Sequence, residues 1–133
     1  MTVTPIEEEA MANLTEATVT FHTNDENKDH DTNVTIEVRD RSGHTAARVS
    51  DTFGPFNDHT NNGPYNLTLI NHASKDDLQG GNVLLRVDPV GNDTWRFNLF
   101  VDLLFDDGSH LTVTADGLEV NEESEQQQTF GLN

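Results

Sequence analysis

Val19-Thr20-Phe21-His22 and Val34-Thr35-Ile36-Glu37-Val38 decide the fold. In both stretches apolar side chains recur at every second residue, the period of a pleated strand that buries one face. The residues between them, from Thr23 to Asn33, are polar and rich in Asp and Asn, so the two strands are joined by a connection with no core of its own. Working outward, the same period returns along the chain. Arg41-Ser42-Gly43-His44 reads as a tight turn into Ala47 and Val49. Tyr65, Leu67 and Leu69 share a face, as do Val83, Leu85 and Val87, then Trp95, Phe97, Leu99 and Val101. Asp106-Asp107-Gly108 is a hairpin-type turn leading to Leu111, Val113 and Ala115, followed by Leu118 and Val120.

Seven to eight short strands separated by Gly, Pro, Asn and Asp, with no useful helical period between them, predict an all-β antiparallel sandwich. The length of 133 residues suits one core. The expected organisation is an N-terminal arm over 1–16, the sandwich over 17–120 and a polar C-terminal tail over 121–133, from which Phe130 is able to dock. Apolar runs are too short to cross a membrane. Met1 to Glu9 has neither a basic n-region nor an apolar h-region, so no signal peptide is expected within it. The compartment stays open, with an extracellular setting favoured. Cysteine is absent, which removes disulfides, thiolate nucleophiles and Cys-ligated zinc.

Charge narrows the function. Twenty-four acids against seven bases give a formal charge of −17 and a pI near 4.3. Nucleic-acid binding needs Lys and Arg to displace the counterions of the phosphate backbone, so nucleic acid is not an expected partner. Anionic lipid is not expected to bind unaided. Two readings of the acid excess remain: a solvated or salt-adapted surface, and divalent-cation binding by some of the acids.

Position along the chain bears on that choice. Successive strands of such a sandwich alternate in direction, so alternate connections emerge at the same end. The first, third and fifth connections, 23–33, 50–64 and 88–93, would then share one end. They carry Asp25, Asn27, Asp29 and Asp31, then Asp51, Asn57 and Asp58, then Asp88, Asn92 and Asp93. The opposite end would receive Arg41, His44, Lys75, Asp76, Asp77, Asp106 and Asp107, a more mixed set.

In the first connection Asp25, Asn27, Asp29 and Asp31 fall at every second position, so a curved loop can turn four oxygen donors to one point. Calcium takes six to eight hard oxygen ligands at about 2.3–2.6 Å and is the expected cofactor; magnesium fits such a loop less well. An EF-hand is excluded, because His30 stands in the place of the turn glycine, Ile36 in that of the bidentate glutamate, and no helices flank the loop. The same residues also suit an Asx-rich connection that bonds only its own backbone. The metal-ligand candidates are Asp25, Asn27, Asp29, Asp31, Asp58, Asp88 and Asp93.

Val19 to Asp25, a short polar loop and Asp31 to Val38 resemble the first hairpin of PLAT/LH2 domains, in which a strand and a Thr-Gly-Asp turn precede a Thr-Asp-Ala-x-Val strand. Leu78, Val83 to Asp88, a Gly-Asn-Asp turn and Trp95 follow in the order that family also shows. Asn24 stands where the family carries glycine. The resemblance covers roughly 17–115. It implies a C2-like sandwich that is not an enzyme and that binds calcium, membrane lipid or a protein partner. Ligand roles pass most directly to Asp25 and Asp31.

The remaining residues suggest less. The six histidines form no HxH or HExxH pair, so zinc and copper are not expected. Ser50, Asp58 and His59 lack a nucleophile elbow, and catalysis is not expected. Arg86 and Arg96 read as cross-strand partners for acids. Trp95 and Phe97 are in phase with the core. Phe53 and Phe56, in a Gly-Pro loop at the acidic end, either plug the sandwich mouth or contact a ligand or membrane. The expected function is a non-catalytic, calcium-dependent lipid, membrane or protein recognition module. The alternative is a calcium-stabilised carbohydrate-binding module holding a glycan.

Overall fold

The computed structural model describes residues 12–26, 28, 32–88, 95–120 and 127–132, with only the backbone described at 25 and 26. Nine strands and one short helix form among the described residues: β1 (Leu14–Glu26), β2 (Asn33–Arg39), β3 (Thr45–Asp51), β4 (Asn61–Asn66), β5 (Thr68–Leu69), α1 (Lys75–Leu78), β6 (Asn82–Asp88), β7 (Trp95–Phe105), β8 (His110–Val120) and β9 (Gln127–Gly131). They make two antiparallel sheets, ordered β4-β1-β7-β8 and β5-β3-β2-β6-β9. The protein is an all-β sandwich. No helix among the described residues is long and apolar enough to cross a membrane.

The period-two pattern explains which side chains meet. Along β7, Trp95, Phe97, Leu99, Val101, Leu103 and Phe105 are buried, while the residues between them face outward. Register then sets Val101 against Val19 and Leu99 against Phe21. In the second sheet Val34, Ile36 and Val38 lie opposite Val87, Leu85 and Val83, all buried. A one-residue slip in either sheet would turn these rows to water, which makes register the costliest thing to change.

Sheet boundaries depart from the sequence expectation at three places. β1 begins at Leu14, fully buried opposite Phe105, so the arm ends earlier than residue 16. From residue 127 the polar tail is an edge strand: β9 pairs with β6, and Leu132 behind it is buried. Backbone pairing does not need apolar side chains, and Phe130 packs against the core while Gln127 and Thr129 face out. The two expected strands over 111–120 are one, β8, carried across a register shift beside Gly117 at φ 69°.

The far end of the sandwich is closed by α1. Ser74 Oγ accepts the Asp77 N–H at 3.1 Å, and Leu78 plugs the core. Gly81 lets β6 start beside β2, since a Cβ there would collide with the Arg39 carbonyl.

Strand directions place alternate connections at the same end, as expected from the sequence. Asn61 pairs with His22, Asp88 with Asn33, Arg96 with Glu26, and Val120 with Trp95. The strand ends flanking 27–32, 52–60, 89–94 and 121–126 therefore all lie at one end of the sandwich. Residues 40–44, α1 and 106–109 lie at the other.

Candidate functional site at the loop end

An aromatic cluster underlies the acidic end. Phe21, on β1, has ring centroids of Phe56 and Trp95 at 5.5 Å and Phe53 at 5.8 Å. Trp95 stacks on Phe97 at 3.7 Å, and its indole N–H donates to Thr23 Oγ1 at 3.0 Å, so the buried polar atom is satisfied. Phe56 is 1% exposed. Its ring plugs the sandwich mouth, and the expectation that it contacts a ligand or membrane is corrected for this residue: a ring enclosed by Phe21, Trp95 and Tyr65 has no face to offer. Phe53 is partly buried, 4.5 Å from Tyr65. It holds a φ of 59°, with Asp51 Oδ1 accepting the N–H groups of Thr52 and Phe53 at 2.7 and 3.3 Å. Asp51 thus acts as a turn former.

Lys28 supplies the main polar feature of this end. It is 1% exposed, and its backbone pairs with Phe56 in both directions, at 3.1 and 3.0 Å. The ammonium donates to the carbonyl oxygens of Thr52, Gly54 (2.6 Å) and Thr32 (3.4 Å), and lies 4.7 Å from the Phe56 ring centroid. Backbone oxygens from two connections therefore converge on one cation, and the cation is a side chain. A lone lysine in the acidic connection was the only sequence signal for it.

The expected metal ligands fare unequally. Asn27, Asp29, Asp31 and Asp93 lie outside the described residues, as do His30 and Asn92. Asp25 is the penultimate residue of β1, with its backbone alone described. Asp58 is exposed, in the turn whose His59 N–H donates to the carbonyls of Thr23 and Asn24. Asp88 accepts from Arg86 Nε through both oxygens, at 3.1 and 3.2 Å. Among the described residues no three His, Asp or Glu side chains assemble as a metal centre. Of the expected ligands, Asn27, Asp29, Asp31 and Asp93 would have to supply most of the oxygens for a calcium ion at this end.

All seven basic residues fall on described positions, and each is engaged within the chain. Arg39 and Arg48 face Glu37 at 3.3 and 3.7 Å, Arg41 faces Asp76 and Asp77, Arg86 meets Asp88, and Arg96 meets Glu119 at 2.7 Å. Lys75 lies over the Phe105 ring, and Lys28 is in its carbonyl cradle. Burial pushes the Glu37 carboxyl up, but hydrogen bonds from Thr45 and Arg39 and the charges of Arg39 and Arg48 outweigh it and hold its pKa below the ordinary value. The expected cross-strand role of Arg96 is met by Glu119, on the neighbouring strand β8; Arg86 instead turns along its own strand to Asp88. No basic face is left to cradle a phosphate.

A cleft opens beside this end, on the outer face of the four-stranded sheet. It encloses about 220 Å³ and is lined by Asn24, Arg96, Gly117, Leu118 and Glu119. Two register shifts frame it, between Thr23 and Glu26 on β1 and opposite Phe97–Leu99 on β8. Bulges of this kind re-aim side chains. Nothing in the period-two pattern marked it. No protein-family model and no curated protein matches the chain.

Proposed function

We infer that the chain is a non-catalytic recognition module of PLAT/C2-like organisation, whose loop end binds calcium and, with the ion, a lipid surface or a protein partner. The observation that carries this reading is topological: the strand ends flanking the acid-bearing connections 27–32, 52–60 and 89–94 lie at one end of the sandwich. Asp25, Asn27, Asp29, Asp31, Asp58 and Asp93 would supply oxygens there; Asp88 would first have to leave Arg86. The carbonyls gathered on Lys28 support the reading in kind, since the same end already solvates one cation with backbone oxygen. With Phe56 in the core, lipid contact would run through ion and phosphate, with Phe53 the sole remaining aromatic contact of the pair.

Calorimetric titration with calcium tests this. Saturable binding, with a rise in melting temperature equivalent to about 2.7 kcal/mol at a hundredfold excess over Kd, is the expected result. A flat titration and an unmoved melting temperature at millimolar calcium would exclude it. The carbohydrate reading gains support from a separate observation, the cleft and the sheet face beside it.

A further inference from the structure

The outer face of β1, β7 and β8 differs from the rest of this acidic surface. Between the Arg96–Glu119 pair at one end and the Asp102–His110 pair, 2.8 Å apart, at the other, its central side chains are Thr20, His22, Asn98, Phe100 and Thr114. None of these five carries a carboxylate, ammonium or guanidinium, on a chain of net charge −17; the carboxylate beside them is Asp116, exposed on β8 between Thr114 and Gly117.

Asn98 is held at the junction of cleft and face. Its amide oxygen accepts from Asn24 Nδ2 at 3.2 Å and from the Gly117 N–H at 2.8 Å. Both bonds fix the oxygen, so the amide nitrogen is oriented as a donor, and no acceptor for it lies among the described residues. Gly117 reaches this position with a φ of 69°, which glycine adopts without strain. Two residues along the same face, Phe100 is 40% exposed, with Thr20 and Thr114 directly opposite on β1 and β8. A single exposed ring is ordinary on a protein surface. Here it adjoins a cleft, an oriented amide and a charge pair in one row: Arg96, Asn98 and Phe100 span five residues of β7, about 13 Å of strand.

We propose that this row is a binding site for a neutral glycan. The ring of Phe100 offers an apolar platform for the C–H face of a sugar. Asn98 Nδ2 and the Arg96–Glu119 pair, at the cleft, offer planar donors and acceptors for vicinal hydroxyls. Charge selects against other ligands: every base is engaged within the chain, and the net charge repels phosphates and acidic polysaccharides. The length of the row suits a short oligosaccharide better than one ring. The site uses no calcium ligand, so it stands or falls apart from the loop-end reading.

Affinity electrophoresis of the full chain tests it, in gels containing a soluble β-glucan, a galactomannan, a xylan or polygalacturonate, each with a chelator present. Retardation by at least one neutral polymer and none by polygalacturonate is the expected result. Phe100→Ala and Asn98→Ala should each weaken binding about tenfold, while Phe100→Trp retains it. A parent-like melting temperature for Phe100→Ala would assign its loss to the site. Free migration in all three neutral gels, or retardation unchanged by both alanine substitutions, would overturn the proposal. Glycan binding with a flat calcium titration would leave this site standing and remove the loop-end function; the converse would do the opposite.

Discussion

Lys28 and Phe56 are bound to each other three ways: two backbone hydrogen bonds of 3.1 and 3.0 Å, and an ammonium 4.7 Å from the ring centroid. One residue belongs to the first acidic connection and the other to the second, so this contact ties the two together across the sandwich mouth. The carbonyls of Thr52 and Gly54 complete the tie from the second connection, and that of Thr32 from the first.

Removing the ammonium should loosen that end. Lys28→Met keeps the stem and deletes the donors, leaving three carbonyls to find water or move. A loss of about 1.5–3 kcal/mol in urea unfolding is expected, the range for hydrogen bonds to a charged group. Amide exchange should accelerate in 52–60 and remain parent-like in β7. A variant as stable as the parent would show that the cradle contributes nothing.

Glu37 should make stability depend on acid. Its folded-state pKa is lowered from 4.5, so the native state binds its proton less readily than the unfolded chain does. That contribution is present above the unfolded pKa and is lost as pH falls through the lower folded value. Glu37→Gln should therefore be roughly 1 kcal/mol less stable than the parent at pH 7, with the gap closing below about pH 4.5. Thermal melts of both proteins across pH 3–7 decide; a gap that stays constant with pH contradicts the ion network described for Arg39 and Arg48.

Salt should stabilise the fold. Each base is already engaged within the chain, so most of the 24 acids repel one another without compensation. The screening length falls from about 10 Å at 0.1 M to about 3 Å at 1 M, which removes repulsion between exposed carboxylates more than it weakens close pairs. Melting temperature should climb by several degrees between those concentrations of sodium chloride. A fall would mean that the Arg pairs outweigh the repulsion.

How far the fold was legible follows from where side chains alternate. Val34-Thr35-Ile36-Glu37-Val38 and Trp95 to Val101 announce their strands because one face is buried along their whole length. Gln127 to Gly131 does not, because an edge strand draws its pairing from the backbone of β6, which composition does not reveal. Phe56 was ambiguous for another reason: a loop aromatic is exposed or buried according to what stands over it, here Lys28 and the rings of Phe21 and Trp95. The cleft between Asn24 and Glu119 was invisible, since it arises from register shifts and a left-handed turn of the backbone at Gly117 rather than from alternating side chains. The shared end of the acidic connections, by contrast, needed only a correct count of strand directions.

That shared end gives the most direct test of the loop-end account. Calcium affinity should be measured by calorimetry for the parent, for Asp29→Asn and Asp31→Asn, and for Asp106→Asn and Asp107→Asn. Asp106 and Asp107 lie beyond β7 at the far end, where Asp106 accepts the Asn13 N–H and Asp107 the Ser109 N–H. The first pair of substitutions should weaken calcium binding strongly while the second leaves it near the parent value. Equal effects from both pairs, or no calcium binding by the parent, would contradict it.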